Sequence, residues 1–510
     1  MFVIQNTFVM KLKRYLLLLL STFITLSLVG CVGAEHHKYL IEAKNAICTR
    51  VEQKVTIEYF AHSDFMNSNT RIDVECSEPW VSVVDSSVKG KIYLSVEQNH
   101  GDTRTANITI SARNCVPATV TLMQYGMPPD EANHTLMFCF FGTSLKRYFT
   151  TNLEDAAQAI QTGILANKNR VLFFRQESAT TGYIGELCHN VSGDKCIELR
   201  LEDVTLDENS IISPEAIGEL LATMAEAAPA KRYGVVFAGH GQGWITREAL
   251  NREKGIEKFG VSYDPWFVAD GAEITRAFGE SNVQVNIDEL AEGIESSGVG
   301  FDYILFDACF MSNIEAIYEL RNSANYIIAS PCEIMGKGFP YHRTLPYLFT
   351  NYGETADYDG AARSYHEYYK NEYTGNGRCG SITVYKCSDI EGVADAMRTV
   401  MVSAKKPTDY DSSTLQTYEG QRYHHFYDFG EWVNVVATDS AALNTFNAKL
   451  GECIVATYTL DSFYSAYGTY GTYPINLDVY SGVTTSAPSD AYTSDWKMTN
   501  WYKEVIALEN

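Results

Sequence analysis

Residues 303–313 read Tyr-Ile-Leu-Phe-Asp-Ala-Cys-Phe-Met-Ser-Asn. An unbroken apolar run climbs to Asp307, passes one small residue and stops at Cys309. A short run with no polar alternation fits a strand buried on both faces, which is the pattern of a parallel sheet with helices on either side. Outward from it the rhythm repeats. Downstream, IEAIYELRNSA reads as a helix, with Ser312-x-x-Glu315 as its capping box. Upstream, NIDELAEGIESSG places Ile287, Leu290, Ala291 and Ile294 on one helical face. Before that, YGVVFAGH is a second buried strand. HTLMFCFFG, RVLFFRQ, YIIASP and SITVYKC read as further strands, and LEDAAQAIQTGIL and SPEAIGELLATMAEAAP as helices. Ser213 and Pro214 supply the cap and first-turn proline of the latter. The fold class is α/β, a mainly parallel sheet flanked by helices.

The earlier part of the chain has another period. Between Val51 and Gly126, segments such as KVTIEYF, KIYLSVEQ and RTANITI alternate apolar and polar residues. That alternation predicts a small all-β sandwich ahead of the α/β unit. Met127-Pro128-Pro129-Asp130 reads as the linker. At 510 residues, with 45% hydrophobic and 20% charged residues, the chain is long enough for two or three folded domains. Its formal charge of -23 argues against a nucleic-acid partner and against an anionic lipid surface.

Lys11, Lys13 and Arg14 precede a leucine-rich apolar stretch, the pattern of an export leader. The stretch ends in Leu28-Val29-Gly30-Cys31 and resembles the bacterial lipobox. The resemblance implies a lipid thioether on Cys31, a membrane tether and a place in the bacterial cell envelope, on either face of the outer membrane. Domains are expected at 1–31 (leader), 32–127 (sandwich) and 128–510 (α/β unit). The anchors Trp80-Val81-Ser82-Val83, Asn99, Arg104-x-Ala106-x-Ile108 and Gln124-x-Gly126 resemble the BACON domain. That resemblance implies either a glycan- or mucin-binding module or a spacer. Export permits disulfides. Of 12 cysteines, eleven remain beside Cys31, an odd number. Cys188 with Cys196, and Cys379 with Cys387, have the spacing of local loops, and spacing alone establishes neither bridge.

Chemistry gathers at two strand ends. One strand finishes at His240 and the other at Cys309. In parallel sheets the carboxyl ends of strands collect functional groups, so the imidazole and the thiol are expected on one rim. A cysteine nucleophile needs such a neighbour and a site that favours thiolate. The helix after Cys309 is expected to lower the thiol pKa. Gly239, Gly241 and Gly243 allow close backbone approach and an exposed N–H for an oxyanion.

The segments VVFAGHGQGW, FDACFMSNIEAIYEL, IIASPCEIMGKGFPY and HFYDFGEW together resemble the clostripain family of cysteine peptidases, in the clan of caspases, gingipains and legumain. The resemblance implies a caspase–hemoglobinase-like fold and peptide-bond hydrolysis by a Cys309/His240 dyad. It implies an oxyanion site on the backbone N–H groups of Gly241 and Cys309. It also implies a substrate pocket for arginine or lysine on Asp307, with Glu333 as the nearest second acid and Lys337 close behind it. Some relatives are cut within the chain. Here the stretch holding Arg247, Arg252, Lys254, Lys258 and Arg276 is the candidate region. Some relatives depend on calcium, and this sequence carries no EF-hand ladder of acids. The alternative is an adhesion or glycan-binding lipoprotein with an inactive peptidase-like domain.

Rival sites are weaker. His424-His425 lacks companion metal ligands at a matching spacing. His366-Glu367 starts an HExxH word, but position 370 is lysine. No G-x-S-x-G is present, which removes the usual serine-hydrolase elbow. Cys332, after the strand IIASP, is the one competing nucleophile. No metal site is expected from the sequence.

Overall fold

The computed structural model describes the chain from 39 to 507 except 49–52, 100–102, 125, 127–130, 163, 190–195, 207–211, 254–256, 259–260, 263–271, 277–284, 350–354, 376, 422–423 and 468–473. The leader, Cys31, the 127–130 linker and Lys254 lie outside the described residues. Two compact units, Met1–Tyr125 and Gly126–Asn510, divide the chain. No described helix is long and apolar enough to cross a membrane.

The first unit contains two four-stranded sheets around one core that includes Ile57, Ile92, Leu94, Ile108 and Leu122. Its strands alternate buried and exposed positions, as in Arg104–Ser111, because each sheet has one wet face. Arg104 stacks on Trp80 with its guanidinium carbon 4.3 Å from the ring centroid, and its Nε donates to Gln124 Oε1 at 2.8 Å. Three of the anchor residues therefore meet at one point.

The second unit is built on a nine-stranded sheet. In chain order its strands are β1 (His134–Phe140), β2 (Asn169–Gln176), β3 (Thr181–Cys188), β4 (Ile197–Thr205), β5 (Tyr233–Ala238), β6 (Phe301–Asp307), β7 (Ala324–Ala329), β8 (Ile382–Lys386) and β9 (Ile454–Tyr458). In space they run β4-β3-β2-β1-β5-β6-β7-β8-β9. The middle five, β2 to β7 in that row, are parallel; the pairs outside them are antiparallel. β1 is buried at every position because helices cover both sides. Helices α1 (Lys146–Gln161) and α6 (Tyr358–Asn371) pack on one face. Helices α2 (Pro214–Ala227), α4 (Ile287–Ser296), α5 (Ile314–Glu319) and α7 (Ile390–Met401) pack on the other, and α3 (Arg247–Glu253) lies between β5 and α4 in the chain.

Ser213 caps α2 as expected, accepting from the Ala216 N–H at 3.2 Å. The capping box ahead of α5 is different. Asn313, not Ser312, is the cap, and Glu315 instead accepts from Thr485, Ser486 and Trp496. A distant segment outbids the local turn because it offers a buried carboxylate three donors. Cys196 Sγ donates to the Cys188 carbonyl at 2.7 Å rather than bonding to its sulfur, and Cys379 and Cys387 are separate buried thiols.

Candidate active site

β5 and β6 are hydrogen-bonded neighbours with Ala238 opposite Asp307. The chain leaves each strand at the same edge, so His240 and Cys309, each two residues past that pair, share one ledge. A cleft beside His240 is lined by Phe141, Gly239, Gly241, Ala308 and Met311, with Cys309 outside its lining. The His240 Nε2 lies 3.0 Å from Ser144 Oγ. Gly241 lies against the backbone of Cys309: a side-chain carbon there would come within 2.3 Å of the Cys309 carbonyl oxygen. Only glycine permits that approach.

Cys309 is fully buried, with its sulfur 2.9 Å from the Ile334 N–H. Burial pushes the thiol well above its ordinary range, and the charge of Glu333 adds to this. The Ile334 N–H, the Arg276 guanidinium and a backbone hydrogen bond from Arg276 pull the other way. The expected lowering by α5 is therefore corrected. That helix has six residues, and the covering of the sulfur outweighs it.

The cover is the segment Glu273–Arg276. It runs antiparallel to residues 334–336. Arg276 N–H donates to the Ile334 carbonyl at 2.7 Å, Gly336 N–H donates to the Ile274 carbonyl at 2.6 Å, and Thr275 bridges Met335. This is the hydrogen bonding of an extended peptide added to an edge. The Arg276 carbonyl accepts from the Gly241 N–H at 2.8 Å.

The Arg276 side chain enters a closed pocket. Its Nη1 lies 3.0 Å from Asp307 Oδ2, with both side chains fully buried. Its Nη2 donates to Asn152 Oδ1 at 2.6 Å, and its Nε donates to the Gly336 carbonyl at 3.2 Å. Asp307 also accepts from the Tyr341 hydroxyl at 2.8 Å and the Phe339 N–H at 3.3 Å. Burial pushes the Asp307 carboxyl up, while Arg276, Tyr341 and the Phe339 N–H hold it down. Gly338, at φ +70, keeps the pocket open: a carbon there would sit 2.3 Å from Arg276 Nη2. Lys337 is turned away, its ammonium 5.0 Å from the centre of the Tyr368 ring.

Glu333 does not reach the guanidinium. It lies one residue back along the segment, accepting from Thr275 Oγ1 at 2.6 Å. Ser465 Oγ and the Ala466 N–H complete its partners. Burial raises its pKa to about 7, with Glu419 adding, against the three hydrogen bonds. Further back, the Glu273 carboxylate accepts from the Tyr373 hydroxyl at 2.8 Å and the Gly377 N–H at 3.1 Å.

Cys332 is fully buried, and its carbonyl accepts from the Phe310 N–H at 3.1 Å. Burial raises its thiol pKa as well. His425 Nε2 lies 3.1 Å from Gln421 Oε1. Among the described residues, no group of three or more His, Cys, Asp or Glu side chains is arranged for a metal ion. Sequence reading missed Asn152 and Ser465. Asn152 carried one signal: a polar residue on the buried stripe of α1 that includes Phe149, Leu153, Ala156 and Ile160.

A buried thiol and an imidazole at neighbouring ends of a parallel sheet, under a peptide-like strand, define a cysteine-type peptidase. The chain belongs to the clostripain family, whose profile, Peptidase_C11, matches residues 144–505. A secreted C11 cysteine protease from Bacteroides thetaiotaomicron is similar, with 26% identity, a TM-score of 0.63, and coverage of 74% of this chain and 100% of that one. An inactive zymogen C11 protease from Parabacteroides distasonis is 27% identical at a TM-score of 0.59, covering 74% of this chain and 99% of that one. A further Bacteroides thetaiotaomicron C11 protease, in complex with an irreversible peptide inhibitor, shares the fold at 24% identity and a TM-score of 0.59, covering 73% of this chain and 99% of that one. No curated protein matches the chain.

Proposed function

We propose that this chain is an exported, lipid-anchored cysteine endopeptidase that cuts after a basic residue, arginine foremost, and that it is made as a precursor whose own Arg276 fills the substrate site. The single observation behind this is the double engagement of Arg276: side chain on Asp307, carbonyl on the Gly241 N–H. A residue held in that way stands where the acyl side of a scissile bond belongs. Cys309 Sγ attacks the carbonyl carbon, and the Gly241 and Cys309 N–H groups hold the oxyanion. His240 gives its proton to the leaving amine. Water then hydrolyses the thioester and the thiol is restored. Hydrolysis after Arg276 frees the segment and opens the cleft to peptide or protein substrates. The leader and Cys31 support tethering in the bacterial envelope.

The test uses the full chain and an arginyl-coumarin peptide. Mass spectrometry should show a cut after Arg276, followed by coumarin release. Cys309→Ala should abolish both while the far-ultraviolet circular dichroism stays native. Full activity in that variant would reject the assignment.

A further inference from the structure

Beyond the Arg276 pocket, the covering segment meets a second buried carboxylate. Glu333 is fully buried, and its Oε2 takes the Thr275 hydroxyl at 2.6 Å. Its other partners, Ser465 Oγ and the Ala466 N–H, belong to the protein wall and stay when the segment leaves. The wall comes from the tyrosine-rich stretch near the C-terminus, whose Tyr464 hydroxyl also accepts from the Glu273 N–H at 2.8 Å. When the segment leaves, Glu333 Oε2 loses the Thr275 hydroxyl and keeps the Ala466 N–H at 3.1 Å. A buried carboxylate oxygen that takes two donors loses free energy when a methyl replaces one of them, so a replacement hydroxyl is preferred over a methyl of the same size.

We propose that Glu333, seated by Ser465 and Ala466, selects substrates with threonine or serine immediately before the cleaved basic residue. The inference rests on the endopeptidase reading above and names the substrate class of that site. Threonine and valine have nearly the same shape. The discrimination therefore lies in one hydrogen bond to the Glu333 carboxyl. Glu333 acts on the neighbour of the arginine and leaves the arginine itself to Asp307 and Asn152. The two choices are thus separable by experiment.

The experiment uses the full-length protein after self-cleavage and four coumarin peptides: Glu-Ile-Thr-Arg, Glu-Ile-Ser-Arg, Glu-Ile-Val-Arg and Glu-Ile-Ala-Arg. The threonine and serine peptides should exceed valine and alanine in kcat/KM by about tenfold, the scale of one hydrogen bond. In Glu333→Met the ratio of threonine to valine should fall to one or below. A second reading needs no change in the wall: Thr275→Val should slow the cut after Arg276 by a similar factor. Equal use of threonine and valine peptides by the wild type overturns the inference and leaves the peptidase intact. Failure to cleave any of the four overturns the peptidase reading as well.

Discussion

Among the described residues of the α/β unit, two arginine–carboxylate pairs are buried, and they are built differently. Arg170 on β2 meets Glu186 on β3 with two bonds of 2.8 Å, and its remaining nitrogen donates to the Ala227 carbonyl at 2.8 Å. Both residues belong to adjacent strands, so the ladder itself holds the pair in register. Arg276 instead arrives from a loop between α3 and α4. It meets one carboxylate oxygen and the main-chain carbonyl of Asp307, an amide oxygen of Asn152 and a backbone carbonyl of Gly336. The first pair is a closed structural unit. The second is a pocket assembled from separate segments, an arrangement in keeping with the proposed exchange of Arg276 for a substrate side chain. A bidentate fork made within a sheet fixes geometry.

The contrast can be broken at the pocket first. Asp307→Asn should reduce kcat/KM for arginyl peptides by about 10²–10³, since it removes the only carboxylate among the described residues that pairs with the buried guanidinium. Steady-state rates on the self-cleaved protein measure this, and a loss under about tenfold would remove Asp307 from recognition. The sheet pair should respond in stability instead. Glu186→Gln should cost about 3–5 kcal/mol of unfolding free energy by leaving Arg170 buried beside a neutral partner. Urea denaturation reads the loss, while arginyl-peptide kinetics of the folded protein should stay close to wild type. The smallest effect sharpens the pocket. Asn152→Ala should lower the preference for arginine over lysine by about tenfold, because a guanidinium spans Asp307 and Asn152 together and an ammonium meets Asp307 alone. An unchanged arginine-to-lysine ratio would show that Asn152 is structural.

Much of the scaffold was legible in the sequence. The runs that became β1, β5 and β6 are apolar at consecutive positions, and only a doubly covered strand tolerates that pattern. The stripe of Leu290 and Ile294 in α4 was equally plain. The hairpin of β3 and β4 was missed. β4 alternates as an exposed antiparallel edge does, without the buried run that marked the centre. The Ser312–Glu315 capping box was read as a local device, while its carboxylate belongs to a segment about 170 residues away in sequence. Nothing local to Glu315 announces that bond.

The sequence by itself determined the sheet, the helices that cover it and the pair of strand ends carrying His240 and Cys309. These follow from period and apolarity, which are properties of neighbours along the chain. Only the tertiary structure decided that Arg276 lies on Asp307, that Glu333 attends to Thr275, and that Asn152 and Ser465 complete the cleft. Each joins segments distant along the chain, where burial makes an unmet charge or hydroxyl expensive and so dictates its partner.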